Sequence, residues 1–413
     1  MRSSHGLTPA LSLFGARVVY AFNWYNVGAV LPLIGTSLSA NTAQLGLVLG
    51  AFLVGVGIFQ VPAGILDLRW GSRRTALSGL LVMGLAGTAT AFSTHLWDLI
   101  AFRFVAGAGA AFFFSPALSL VASYFPPGQR GPIIGLYNGG FSLGGAVGVT
   151  AGAALGVRFG WPFALGVGGI GLLVLVAYNW YVLPRETMPR PRREAGQVFS
   201  VVRRVVRSRS IWALSLAFTG FWAAIYIVAQ DFVLFASHAH PTWGTQTAAN
   251  VTTIFIVMSL PGGPLGGWIA ERGHDRRAIL AVFAVAAAVL VAVIPFLDLY
   301  LSAGLFVFLG LFDGIVFAVM YLVPSYLPES QGPGLALGIA VVNSIQVLLG
   351  SAIAVVFGVV ADAWGFSIAW LFVGGLTLAM VPLVLWVVPN RAGVPVAITP
   401  PAPASESPPV TSK

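Results

Sequence analysis

Twelve stretches of this chain are too long and too apolar for water to be their solvent. They lie near 11–34, 43–66, 75–93, 97–121, 132–155, 161–183, 211–235, 246–270, 277–296, 299–323, 334–358 and 365–388. A helix rises about 1.5 Å per residue, so roughly 20 apolar residues cross the hydrocarbon core of a bilayer. Lipid offers the backbone no hydrogen bonds, so each stretch has to satisfy its own amides as a helix. Charge agrees: 8% of the 413 residues are charged, against about 25% in a soluble domain. The sequence therefore predicts an all-α membrane protein with twelve transmembrane helices. The net charge of +9 does not mark a nucleic-acid partner, because the arginines sit in short loops between spans and form no basic face. There is no cysteine, which excludes disulfides, thiolate nucleophiles and Cys-based metal sites. The first ten residues show no cleavable-signal pattern, and the first apolar run is long enough to stay as a helix.

Direction follows from the basic residues, which concentrate on the cytoplasmic side of short loops. Alternate loops hold 18 of the 21 Arg and Lys residues, the opposite loops hold only Arg158, and Arg17 and Arg103 fall inside spans. That bias places both termini in the cytoplasm and the chain in the cytoplasmic (inner) membrane as a multi-pass protein. Residues 184–210 form a basic cytoplasmic linker, whose 201–209 portion predicts a helix lying on the anionic inner leaflet. Residues 390–413, rich in Pro, Ala and Ser, predict a disordered cytoplasmic tail.

The chain also repeats itself at about 200 residues. Gly64-Ile65-Leu66 is answered by Gly267-Trp268-Ile269, and Asp98-Leu99 by Asp298-Leu299. Ser123-Tyr124-Phe125-Pro126 returns as Ser325-Tyr326-Leu327-Pro328, and Gly168-Gly169 as Gly374-Gly375. Four matches in order predict two pseudo-symmetric six-helix halves, 1–183 and 211–389. Such duplication puts a binding site near mid-membrane, between halves that rock for alternating access.

Particular residues then match a known family. The loop Gly64, Asp67, Arg69, Gly71, Arg73 and Arg74 resembles the loop signature of the major facilitator superfamily, with the acid one residue early because Leu68 takes its usual place. Gly267, Glu271, Arg272, Arg276 and Arg277 resemble its counterpart in the second half. Arg103 to Ala111, and then Tyr124-Phe125-Pro126-Pro127 with Gln129-Arg130-Gly131, are similar to further signatures of that family. The resemblance covers about 11–389. It implies the fold of that superfamily, a cytoplasmic charge lock at the two loops, and a cavity lined by helices one, four, seven and ten. Gly140, Gly144, Gly148 and Gly152 form a four-residue stripe resembling an antiporter signature, but Val149 stands where that signature has proline. Close helix packing is the simpler reading.

Charges inside the bilayer cost about 3 kcal/mol or more each, so each survivor needs a reason. Asp313 lies deep in the tenth span, and taking up a proton would remove its cost, which suits a proton carrier. Arg103 is a candidate for substrate contact and coupling, at a depth roughly 13 Å from Asp313 by helix rise, too far for an intimate pair. Arg17 is expected to snorkel toward headgroups, and Asp231 to end the seventh span in solvent. Trp222, Tyr226 and Gln230 share a helical face, as do Asn23 and Asn26. These five are substrate-contact candidates, with Asn138, Asn343 and Gln346 weaker ones; interhelical hydrogen bonding is the competing role. His238 and His240 lack a third ligand for a metal site. No nucleotide-binding loop is present, which argues against ATP-driven transport.

The expectation is a non-enzymatic, monomeric secondary transporter without cofactor, coupled to protons and moving a small-molecule substrate. Uptake of a small organic anion leads, on the strength of Arg103, Arg17 and the absence of an acid in the first span. Nitrate-type transport is disfavoured because spans two and eight lack the arginines that family uses. Export of hydrophobic or cationic compounds is the alternative, favoured by the aromatic face of span seven and by Asp313. A non-transporting receptor or lipid-handling protein on the same scaffold is the alternative of another class.

Overall fold

The computed structural model describes residues 4–125, 127–184, 203–272, 275–327 and 335–388. Twelve long helices follow in order: α1 (Ser4–Leu38), α2 (Thr42–Trp70), α3 (Ser72–Ala89), α4 (Leu96–Ser123), α5 (Pro127–Phe159), α6 (Trp161–Val182), α7 (Arg209–Ala239), α8 (Gly244–Glu271), α9 (Arg276–Val293), α10 (Leu299–Leu322), α11 (Leu335–Trp364) and α12 (Phe366–Val387). Together with the 3-10 turns that adjoin three of them, they give twelve stretches of 21 to 32 residues long and apolar enough to cross a membrane. Several helices outrun the predicted spans, because capping rather than hydropathy decides where a helix stops. Asn41 caps α2 by accepting from the Gln44 amide, while the Gln44 side chain accepts from the Asn41 amide. Ser208 caps α7, Asp275 caps α9 and Asp298 caps α10 by accepting from the amides of Ile211, Arg277 and Leu301. Most of the 184–210 segment and all of 390–413 lie outside the described residues. Within the former, 203–206 is helical, with Val205 buried and Arg203, Arg204 and Arg207 exposed.

The repeat read from the sequence has structural counterparts. Gly160 and Gly365, 205 residues apart, both take φ of 87° in the tight turns before α6 and α12, where a side chain would be strained. Arg73 Nε donates to the carbonyl of Leu183 (3.1 Å), and Arg277 Nε donates to that of Val388, so an arginine starting α3 or α9 holds the end of α6 or α12. Asp98 and Asp298 both sit at helix starts, the first accepting from the His95 amide and the second from that of Leu301.

Small residues set the spacing within each half. A Cβ on Gly144 would overlap the carbonyl of Val18, and one on Gly152 would come within 3.1 Å of Asn26, so the α5 glycine stripe packs on α1. Gly55 and Gly107 bring α2 onto α4, and Gly262 and Gly310 bring α8 onto α10. Lipid-facing sides carry apolar residues such as Leu85, Val174, Phe308 and Trp386. The halves meet through α1 with α7, α2 with α11, and α5 with α8. Their contacts run from the ends carrying the α1–α2 and α11–α12 turns toward mid-helix. Asp362 accepts from the amides of Thr42 (3.0 Å) and Ala43 (2.8 Å), and Thr150 meets Thr253 at 2.6 Å.

Candidate functional site

Arg103 is the buried cation of α4. It is 4% exposed, donates through Nη1 to the carbonyl of Asn23 (3.1 Å), and stands over the Phe52 ring at 4.3 Å. Its Nε and Nη2 are buried without hydrogen-bond partners. A desolvated donor left unpaired is costly, so the arrangement is incomplete as it stands. Across the half interface the Tyr226 ring lies within electrostatic reach of Arg103, and the Tyr226 hydroxyl is also buried and unpartnered. Trp222 stacks on Tyr226 at 5.3 Å and packs against Gly350 of α11.

The polar face expected on α7 therefore divides into two roles. Trp222 and Tyr226 turn toward the interior between the halves. Gln230 is wholly buried as a clamp, its Nε2 donating to the carbonyl of Trp24 (3.0 Å) while Gly28 packs against it. Asn23 donates to the carbonyls of Val19 and Gly168, and Asn26 to that of Ala164, so both tie α1 to α6. Asn138 is exposed, on the α5 face that further along carries Val149 into the second half's core. Asn343 joins a chain absent from the sequence reading: Tyr321 donates to it (2.7 Å) and it donates to Gln60 of α2 (3.0 Å), linking the halves. Gln346 is fully buried against Met320.

Asp313 is half-buried, with no ion pair among the described residues, and no contact joins it to Arg103. It lies within electrostatic reach of Tyr25, which is also within reach of Arg17. Two expectations fail. Arg17 does not snorkel: it is 4% exposed and turned inward, because the α5 glycine stripe draws α1 and α5 together around it. Asp231 is not solvated: α7 continues to Ala239, which leaves Asp231 inside the helix and 2% exposed, with Oδ2 unpartnered.

The loop arginines work within the halves. Arg73 is buried, donates to the carbonyls of Trp180 and Leu183, and covers the Trp180 ring. Gly71 takes φ of 84° at the α2–α3 turn, whereas Arg69 and Arg74 are exposed. Arg272 lies over the Trp268 ring at 3.8 Å. Gly64 and Gly267 face open space. The side chains of Leu68, Arg130 and Glu271 lie outside the described residues. His238 bonds the carbonyl of Leu234 and His240 stacks on Trp243 at 4.0 Å, so both serve the end of α7.

Comparison with known proteins agrees with this architecture. The xylose transporter XylE from E. coli, in a partially occluded inward open conformation, superposes with a TM-score of 0.76 at 14% identity, covering 95% of this chain and 100% of that one. A bacterial homolog of the human lysosomal transporter Spinster, inward-facing and unoccupied, gives 0.71 at 17% identity, covering 93% and 95%. The nitrite extrusion protein of Bacillus subtilis is 25% identical over 91% of this chain and 93% of its own length. The 4-hydroxybenzoate transporter PcaK of Pseudomonas putida is 25% identical over 87% and 86%, and the hexuronate transporter of Bacillus subtilis 24% identical over 67% of each. The family model described as Major Facilitator Superfamily matches residues 13–346. This multi-pass membrane protein belongs to the Major Facilitator Superfamily.

Proposed function

We propose that the chain is a secondary transporter that takes up a small organic anion across the cytoplasmic membrane, driven by protons. The observation that carries this reading is Arg103: a cation in the interior with two unpartnered guanidinium nitrogens and no carboxylate in contact among the described residues. A buried charge without a counter-ion is costly, and an anionic substrate would supply one. The 4-hydroxybenzoate and hexuronate transporters among its relatives support an organic anion. Asp313 is the proposed proton carrier. Its charge would repel an anion sharing the cavity, so a proton on Asp313 and an anion bound opposite favour each other.

Direction rests on the arginine bias. With the termini inside, the ends where the two halves meet most closely are external, and the structure is then an inward-facing conformer. A nitrate-type mechanism has less support despite the nitrite extrusion relative: α8 contains no arginine, and the only one in α2, Arg69, lies exposed in its last turn. Export of a cationic or hydrophobic compound is the second reading, favoured by the Trp222–Tyr226 stack and by a multidrug efflux protein, YfmO of Bacillus subtilis, 28% identical over 50% of this chain.

The test is transport by purified protein in liposomes under an inward proton gradient. Saturable accumulation of radiolabelled benzoate or hexuronate is expected, and Asp313→Asn should abolish accumulation while leaving anion exchange intact. Undiminished accumulation in the variant would remove the proton role. Stabilisation by lipophilic amines but by no anion would favour export. No saturable flux of either class would favour a receptor.

A further inference from the structure

The geometry points to a second buried arginine, Arg17 on α1, as the subsite that receives the carboxylate of a small aromatic acid. Four rings enclose its guanidinium: Phe141 at 4.5 Å, Tyr20 and Phe114 at 4.8 Å, and Tyr137 at 5.5 Å. Cation–π contact compensates a buried guanidinium only in part. Arg17 Nε and Nη1 have no hydrogen-bond partner, and neither has the buried hydroxyl of Tyr137, which is within electrostatic reach of Arg17. Three desolvated donors beside one positive charge, with no carboxylate in contact among the described residues, make a site that an anion completes.

The surroundings specify which anion. Beyond the guanidinium the wall is aromatic: Phe141 lies 5.5 Å from Tyr25, 5.8 Å from Trp24 and 6.2 Å from Tyr20. A polyhydroxylated acid would leave several hydroxyls facing rings, each buried without a hydrogen-bond partner and therefore costly. A flat ring instead finds offset and edge-on partners. Tyr25, edge-on to Phe141, lies within electrostatic reach of both Arg17 and Asp313. The inference rests on the anion-transport reading of the preceding section and deepens it by naming the substrate class and the residue that holds it.

The test is equilibrium binding of benzoate to the purified full-length chain, with cyclohexanecarboxylate and galacturonate as non-aromatic probes and ligand-free melting temperature as the control for folding. Benzoate should bind at least about threefold more tightly than cyclohexanecarboxylate, as expected for one favourable ring contact. Tyr137→Phe, which keeps the ring and removes one donor, should weaken benzoate about tenfold without changing ligand-free melting, and Arg17→Gln should weaken it more. Unchanged benzoate affinity in Tyr137→Phe and Arg17→Gln would overturn the assignment of Arg17. Tighter binding of galacturonate or cyclohexanecarboxylate than of benzoate would overturn the aromatic class. Affinity lost in Arg103→Gln but retained in Arg17→Gln would overturn this inference while leaving anion transport standing. Binding of no carboxylate by the unaltered chain would overturn both.

Discussion

Single arginines in this protein divide by what completes them. Arg73 is finished within its own half: it reaches two backbone carbonyls at the end of α6 and lies against Trp180. A charged donor bonded to a buried acceptor contributes about 1.5–3 kcal/mol. Arg73→Gln should therefore lower the melting temperature in detergent by several degrees while substrate affinity stays near that of the parent; unchanged melting would show that the α6 end is held by other means. Arg17 and Arg103 are not finished. Each has two guanidinium nitrogens without partners; Arg103 lies within electrostatic reach of Tyr226 across the half interface, and Arg17 is enclosed by rings of the first half. Both were visible in the sequence as charges inside spans. Their difference from Arg73 was not, because residues in a loop signature and residues in a span are distinguished by partners as far as 110 positions away.

Helices in this fold approach as closely as their glycines permit. The four-residue stripe of α5 was legible as a close-packing face, and its partner proves to be α1. With no Cβ at Gly144, the Val18 carbonyl lies where that atom would be. Gly144→Ala should then cost about 1–3 kcal/mol through overpacking and loosen the enclosure of Arg17 by Tyr137 and Phe141. Thermal melting and benzoate affinity should both fall, whereas a stable variant with unaltered affinity would show that α5 shifts without disturbing the cage. The polar faces of α1 and α7 read correctly as faces, but their assignment to ligand or neighbour could not be made from spacing. Asn23 and Asn26 point at α6 carbonyls, and Gln230 at α1, because packing against a third helix decides which side of an amphipathic stripe is interior.

At the scale of the whole molecule, the pairs α1 with α7, α2 with α11 and α5 with α8 carry most of the contact between the halves, and polar links run along the seam. Asp362 accepts two amides at the start of α2, Thr150 meets Thr253, and Gln60, Asn343 and Tyr321 form a chain. Alternating access would require the end links to break while others form, and a link made in one conformer biases the equilibrium by its own free energy. A carboxylate at a helix N-terminus contributes up to about 1 kcal/mol. Asp362→Asn should therefore raise the population open at that end about fivefold. The chain has no cysteine, so a single Val355→Cys in the α2–α11 seam reports opening by its rate of modification with an impermeant thiol reagent. An unchanged rate would show that Asp362 caps α2 without holding the halves together.

Twelve helices and a repeat near 200 residues follow from the sequence alone, which also sets the expected direction. Bilayer thickness fixes span length, loop arginines bias topology, and the repeat brings matched turns such as Gly160 and Gly365. These are local or periodic constraints, and each can be evaluated without knowing which helix touches which. The tertiary structure decided the rest: that Arg17 is enclosed by rings from α1, α4 and α5, that Asp231 is buried, and that Asn343 bridges to Gln60. The physical reason is that a polar side chain in a membrane takes its role from whichever partner satisfies it, and that partner is supplied by helix packing.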